Sequence, residues 1–231
     1  KVKFTLKGSE YTPLKSDDCS GAIAVRLSAG KGEVKGGTTK ASNSTKMGYS
    51  TCVGTTTSGP DVFYKFTATA GKTYLIKATP DSTYDPAIYA FTKCGSESTT
   101  CVGGADDSYT AGGIETFKFT AKTTGTVYVA VGAYSATSDA YGKFTLDISE
   151  LTMAKHQKCA AAKLVTLTNG KVTVAGDTNK ATDEFATLKC KVHGSTYTTS
   201  VLDGPQLYYK WATKANTWYK LTLTAKSTSQ Y

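Results

Sequence analysis

Carboxylates, imidazoles and thiols are the groups of this chain that could do chemistry, and the carboxylates are the most suggestive. Asp106 and Asp107 follow Gly103-Gly104-Ala105, and Asp85 stands upstream between Tyr84 and Pro86. Hard cations such as Ca²⁺ take several oxygen ligands from a bent loop, and glycine lets backbone carbonyls turn inward. Asp85, Asp106 and Asp107 are therefore the candidate metal ligands, and calcium is the one cofactor the sequence suggests. The plainer reading is a turn whose Asp side chains bond nearby N–H groups. At Gln230, the place of Asp85 in a repeat described below, the second copy carries no acid. The two histidines, His156 and His193, lie outside any zinc-protease or hydrolase motif. Catalysis needs an acid, base or nucleophile held in a set; no such set is spaced out here, and the expectation is a protein that is not an enzyme.

The thiols are Cys19, Cys52, Cys94, Cys101, Cys159 and Cys190, none in C-x-x-C spacing. That spacing suits neither redox nor zinc chemistry, so it predicts disulfides and an oxidising, secreted or periplasmic setting. Six cysteines allow fifteen connectivities. Cys19/Cys52 and Cys159/Cys190 occupy equivalent places in the repeat, which favours Cys19–Cys52, Cys94–Cys101 and Cys159–Cys190.

Partners are bounded by composition. The net charge is +9, but Arg26 is the sole Arg and the lysines are scattered. Base and phosphate readout leans on Arg forks, so nucleic acid is not expected. Lys on strand faces and edges discourages aggregation, with an acidic polysaccharide or cell surface as the alternative use. No apolar run approaches the ~20 residues of a membrane span. Fifteen Tyr and 11% aromatic content suit sheets with one buried face. Tyr faces and Trp218 could stack on sugar rings, and Asn43-Ser44-Thr45 is a glycosylation sequon.

The elements that must position these groups are strands, and they repeat. Val62, Tyr64 and Phe66 alternate with Phe63, Lys65 and Thr67 before Ala70-Gly71, and the chain returns through Tyr74 and Ile76, a pattern that predicts a β-hairpin. Gly204-Pro205-Gln206-Leu207-Tyr208-Tyr209-Lys210-Trp211, Ala215-Asn216 and Trp218-Tyr219 repeat it 145 positions later. Lys3-Phe4-Thr5-Leu6 matches Lys143-Phe144-Thr145-Leu146, Ser9-Glu10 matches Ser149-Glu150, and Cys19 matches Cys159, all offset by 140.

Further strands are expected at 22–27, 86–91, 114–121, 126–131 and 144–148, with 30–49 a loop holding one weak strand. With no convincing helix, the fold class is all-β, in two-sheet sandwiches. The expected domains are 1–12, the closing strand of a preceding repeat; 13–151, a complete sandwich; and 152–231, the first half of another. A half-sandwich is not expected to be stable alone. The chain, which opens at Lys1 rather than Met, reads as a processed protein or a window on a tandem array. In the alternative, another chain supplies missing strands.

Asp61-Val62-Phe63-Tyr64-Lys65-Phe66, Ala70-Gly71-Lys72-Thr73-Tyr74, Tyr84-Asp85-Pro86-Ala87-Ile88-Tyr89, Asp106-Asp107-Ser108, and the run from Gly125 to Val131 followed by Gly142-Lys143-Phe144-Thr145-Leu146 resemble bacterial pre-peptidase C-terminal (PPC) domains. The likeness spans most of 17–150 and, more weakly, 158–231. It implies a jelly-roll-like β-sandwich, appended to secreted enzymes or strung along surface proteins, with calcium held by some related modules. The functional expectation is a non-catalytic extracellular structural or adhesive repeat protein, a surface chain or filament component whose partners are copies of itself or adjacent repeats. The alternative is a targeting or glycan-binding module of a larger secreted hydrolase.

Overall fold

The turn at Ala70-Gly71 is where the structure first departs from the sequence pattern. Gly71 takes φ of 77°, a backbone state that glycine adopts without a side-chain penalty. The strands it joins, β3 (Val62–Ala68) and β4 (Thr73–Pro80), lie in different sheets. The expected hairpin is therefore an arch. Period-2 alternation says which side chains share a face, not which strand lies alongside. Here the two apolar faces meet each other: the Phe66 and Tyr74 rings sit 5.2 Å apart, edge to face.

A computed structural model describes Lys3, Thr5, Thr12, 14–44, Cys52, 57–133, 140–181, 187–190, 198–201 and 204–224. The chain divides into two units, Lys1–Thr152 and Met153–Tyr231. Unit 1 contains β1 (Ile23–Ala24), β2 (Lys31–Gly37), β3, β4, β5 (Ala87–Phe91), β6 (Cys101–Ala105), β7 (Glu115–Thr120), β8 (Gly125–Gly132) and β9 (Lys143–Leu151). They form two sheets, in the orders β1-β3-β8-β5-β6 and β2-β9-β4-β7. All neighbours are antiparallel except β1, which runs parallel to β3 with Ile23 opposite Tyr64.

One apolar cluster fills the space between the sheets, with Val62, Tyr64, Phe66, Ile88, Val129 and Val131 from one and Tyr74, Ile76, Phe117, Phe119, Leu146 and Ile148 from the other. The Tyr84 hydroxyl, buried with its ring, donates to the Gly132 carbonyl at 2.6 Å, which makes burial of a polar tip tolerable. Strand β5 is buried at every residue. Its five consecutive apolar residues are what a strand covered on both faces requires.

Two strands are rich in glycine. The stretch 30–49, expected to be a loop holding one weak strand, contains the seven-residue β2, and Gly103-Gly104 belongs to β6. A Cβ on Gly36 would collide with the Tyr64 hydroxyl and the Phe144 ring, so this glycine marks close approach inside a sheet rather than a loop. The strand expected over 22–27 shrinks to the two residues of β1.

Unit 2 holds β10 (Lys163–Leu164), β11 (Thr187–Cys190), β12 (Thr198–Val201) and β13 (Tyr209–Lys210). Parts of its backbone repeat the front of unit 1, although no strand is assigned at the counterparts of β2 and β4. Lys163 lies parallel and opposite Tyr209, as Ile23 does opposite Tyr64. Val165 N–H donates to Lys210 O as Val25 N–H donates to Lys65 O, both at 2.8 Å. The short 3-10 turn Cys159–Ala161 matches Cys19–Gly21. The positive-φ pair Ala29-Gly30 returns as Asn169-Gly170, and Gly71 as Asn216 with φ of 52°. Among its described residues, however, only Val165 and Ala181 are buried apolar side chains.

Candidate functional site

Four of the six cysteines occupy one face of unit 1, and they pair differently from the sequence expectation. Cys19 bonds Cys94 and Cys52 bonds Cys101; the expected Cys19–Cys52 and Cys94–Cys101 bridges do not form. The reason is geometric. Cys101 sits in β6 opposite Phe91, whereas Cys94 lies beyond the end of β5, so the two are not cross-strand neighbours. The internal bonding of residues 92–100, with Thr92 N–H to Thr100 O and Thr100 N–H to Ser96 O, closes that turn without a bridge. Each thiol instead reaches a segment lying over the outer face of the sheet. Together with Ala22 the bridges cover Phe63, Tyr89, Phe91 and Ala130, none of which is exposed. This second layer keeps dry a sheet face that would otherwise meet water. Cys159 is solvent-exposed; the expected Cys159–Cys190 pairing falls outside the described residues, since the Cys190 side chain is not among them.

The acidic cluster lies at the other end of β6. Asp106 is buried, Asp85 half-buried and Asp107 exposed. A fourth carboxylate that the sequence reading passed over, Glu115, is wholly buried at the start of β7. It accepts the Asp107 N–H at 2.9 Å and the Ser108 N–H at 2.7 Å, tying the loop after β6 to the next strand. Burial pushes the Glu115 carboxyl up; its two amide bonds oppose the rise, and the Asp107 and Asp106 charges add to it. Burial also raises Asp106, with Asp85 and then Asp107 adding. Among the described residues no three His, Cys, Asp or Glu side chains are grouped so as to hold a metal ion. The geometry is that of a loop pinned through its amides by Glu115. The signal for Glu115 was its phase: it shares the inward positions of β7 with Phe117 and Phe119, where an acid needs a reason.

The remaining candidates are scattered. Asn43 Nδ2 donates to the Ser58 carbonyl at 2.7 Å, so its side chain joins two loops; Thr45 of the sequon is outside the described residues. His156 rests against Tyr209, ring centroids 5.0 Å apart and Nε2 3.3 Å from the hydroxyl, while His193 is outside the described residues. An open groove of about 490 Å³ runs along Ala24–Leu27, Lys65–Thr67 and Thr126. Trp218 is 94% exposed, and Leu164, Val172, Val174, Leu221 and Leu223 are exposed with it in unit 2. These are six of the ten large apolar side chains that stand exposed among the described residues, and exposed apolar surface that gathers into a patch marks an interaction site. Among the described residues no helix is long and apolar enough to cross a membrane.

No family model matches the chain, and no curated protein matches it. Solved structures do. The periplasmic inhibitor of g-type lysozyme from Aeromonas hydrophila, PliG, is 17% identical with a TM-score of 0.36, covering 56% of this chain and 95% of that one. The pre-peptidase C-terminal domain of collagenase from Bacillus anthracis is 13% identical with a TM-score of 0.35, covering 55% and 92%. PliG from Salmonella Typhimurium is 13% identical with a TM-score of 0.34, covering 56% and 96%.

Proposed function

We propose that this is a non-catalytic extracellular protein whose β-sandwich units exist to be joined to further units of the same kind, as in a surface chain or filament. One observation carries the reading: unit 2 repeats the turns and the short parallel strand pair at the front of unit 1, and leaves exposed apolar residues whose counterparts unit 1 buries. Tyr74 and Ile76 are buried in unit 1, while their counterparts 145 positions on are a half-exposed Tyr219 and a 76%-exposed Leu221. An apolar surface of that kind is covered in the working state by another protein surface. The two disulfides fit an extracellular or periplasmic setting, and they would make such a unit durable there. Sedimentation velocity of the purified chain from low to high micromolar concentration tests the reading. Species growing in steps of one chain mass are expected; a single monomer boundary throughout would overturn it.

The exposed Trp218 indole also favours a second reading, glycan binding by stacking. In that case the chain is retained on immobilised polysaccharide and the Trp218→Ala variant is not.

A further inference from the structure

One edge of the five-stranded sheet in unit 1 is only partly covered. β1 ends at Ala24, while the strand it lies against, β3, runs on to Ala68. The last bond between them goes from Val25 N–H to Lys65 O at 2.8 Å. Past it the chain leaves β3: Val25 and Leu27 turn over β2, where a Cβ on Gly32 would meet both side chains at 2.8 Å. Successive residues of a strand turn their backbone groups to opposite sides. Lys65 faces β1, so Thr67 faces the same way, and no residue of β1 is in register with it. Among the described residues no other strand lies on that side of β3. The Thr67 N–H and C=O therefore open into the groove of about 490 Å³ that is lined by 24–27, 65–67 and Thr126.

The groove is also cationic. Its lining includes Lys65 and Arg26, the single arginine of the chain, and no Asp or Glu. Arg26 is exposed, and among the described residues neither cation forms an ion pair. A guanidinium takes a carboxylate through two parallel N–H bonds, a geometry that lysine cannot offer. Val25, Leu27 and Phe66 supply the apolar part of the lining. Lysine on an open edge ordinarily keeps other strands away, and it does so by charge. In a chain of net charge +9 that repulsion falls on a second copy, and the same charge attracts a strand of acidic side chains.

We propose that this open end of the edge binds an acidic peptide segment of another protein, which adds as a short strand beside Thr67 and sets a carboxylate on Arg26. Backbone bonds to Thr67 hold the segment and the two cations select it, the division of labour by which strand addition combines affinity with specificity. A peptide is favoured over an acidic polysaccharide because the edge offers a backbone N–H and C=O, and a glycan has no periodic N–H and C=O to match them. The site is independent of whether units are joined to one another.

The probe is a capped, fluorescent peptide of alternating Val and Glu, titrated into the full chain at low salt and followed by anisotropy. Binding is expected, and the matching Val-Gln peptide should not bind. Arg26→Gln should weaken binding roughly fivefold, and Arg26→Lys should also weaken it, since the charge stays and the fork is lost. Two N-methylated peptides, blocked at the Val or at the Glu amides, read the backbone. One should lose binding and the other keep it, because only alternate amides face β3. Hydrogen exchange at the Thr67 amide should slow when the peptide is present. No binding at millimolar peptide, equal binding of the two N-methylated forms, or binding indifferent to Arg26→Gln overturns the proposal. Retention on polygalacturonate without a response to the peptide overturns it in favour of a polysaccharide. Self-association lost in Arg26→Gln, again without peptide binding, overturns it in favour of a second copy.

Discussion

Removing the Cys52–Cys101 bridge by a Cys52→Ser, Cys101→Ser double substitution probes the disulfide layer most directly. The bridge spans 49 residues of sequence, for which the chain-entropy relation gives about 4 kcal/mol at 25 °C. The Cys19–Cys94 bridge interleaves with it, spanning 75, and shortens the effective loop, but the dependence on length is logarithmic and the figure changes little. Unit 1 runs from Lys1 to Thr152. At roughly 2 cal/mol/K of unfolding entropy per residue, 4 kcal/mol lowers its Tm by about 12 °C. Calorimetry under oxidising conditions measures the shift. A non-reducing peptide map of the parent is the companion assay and should yield Cys19–Cys94 and Cys52–Cys101 peptides. A Cys19–Cys52 peptide in that map, or a Tm lowered by less than about 3 °C, would refute the account of a face held dry by two crossing bridges.

The carboxylate shifts predict an acid-side stability maximum for unit 1. Glu115 and Asp106 are raised in the folded protein, so their contribution is fully present below the ordinary carboxylate range near pH 4 and is lost as pH rises through their folded values. Asp81, lowered chiefly by the Lys143 amide, acts in the opposite sense and loses its contribution as pH falls through its lowered value. Tm followed from pH 7 downward should rise before it falls, and Asp106→Asn should raise Tm at pH 7 and blunt the rise; a steady decline from pH 7 would contradict this. For calcium, the amide-pinned loop predicts equal Tm in millimolar EDTA and millimolar calcium chloride, whereas a calcium-dependent increase abolished by Asp107→Ala would make Asp85, Asp106 and Asp107 a cation site.

Strand positions were legible in the sequence because alternation is a local property. Phe117 and Phe119, or Leu146 and Ile148, announce a face wherever the strand is placed. Strand neighbours are not local, and that is where reading stopped. The run from Val62 to Ile76 looks the same whether its two halves bond to each other or face each other across a core, and only the partner strands β8 and β9, more than fifty residues away, distinguish an arch from a hairpin. The cysteines failed for the same reason: equivalence of Cys19 with Cys159 and Cys52 with Cys190 says that two positions recur, not that they touch. Glycines misled in the other direction. Gly36, Gly103 and Gly104 suggested turns, yet each lies in a strand, and at Gly36 the missing side chain is filled by Tyr64 and Phe144. At the acidic loop the three Asp residues stood out, while Glu115, although in phase with Phe117 and Phe119, was passed over because the partners that make an inward acid tolerable, the Asp107 and Ser108 amides, lie outside its strand.

Strand order explains why β9 has a single register. It comes last in unit 1 yet lies between two strands that come early, β2 and β4. An edge offers an incoming strand one row of hydrogen bonds and one register among several, which is why exposed edges invite promiscuous pairing. A place between two strands offers two rows at once, and both must be in register with the same strand. A one-residue slip would turn every side chain of β9 to the wrong face on both sides, and it would drive the Phe144 ring away from the room that Gly36 leaves for it. The pattern that meets these demands, Lys-Phe-Thr-Leu, stands in the sequence twice.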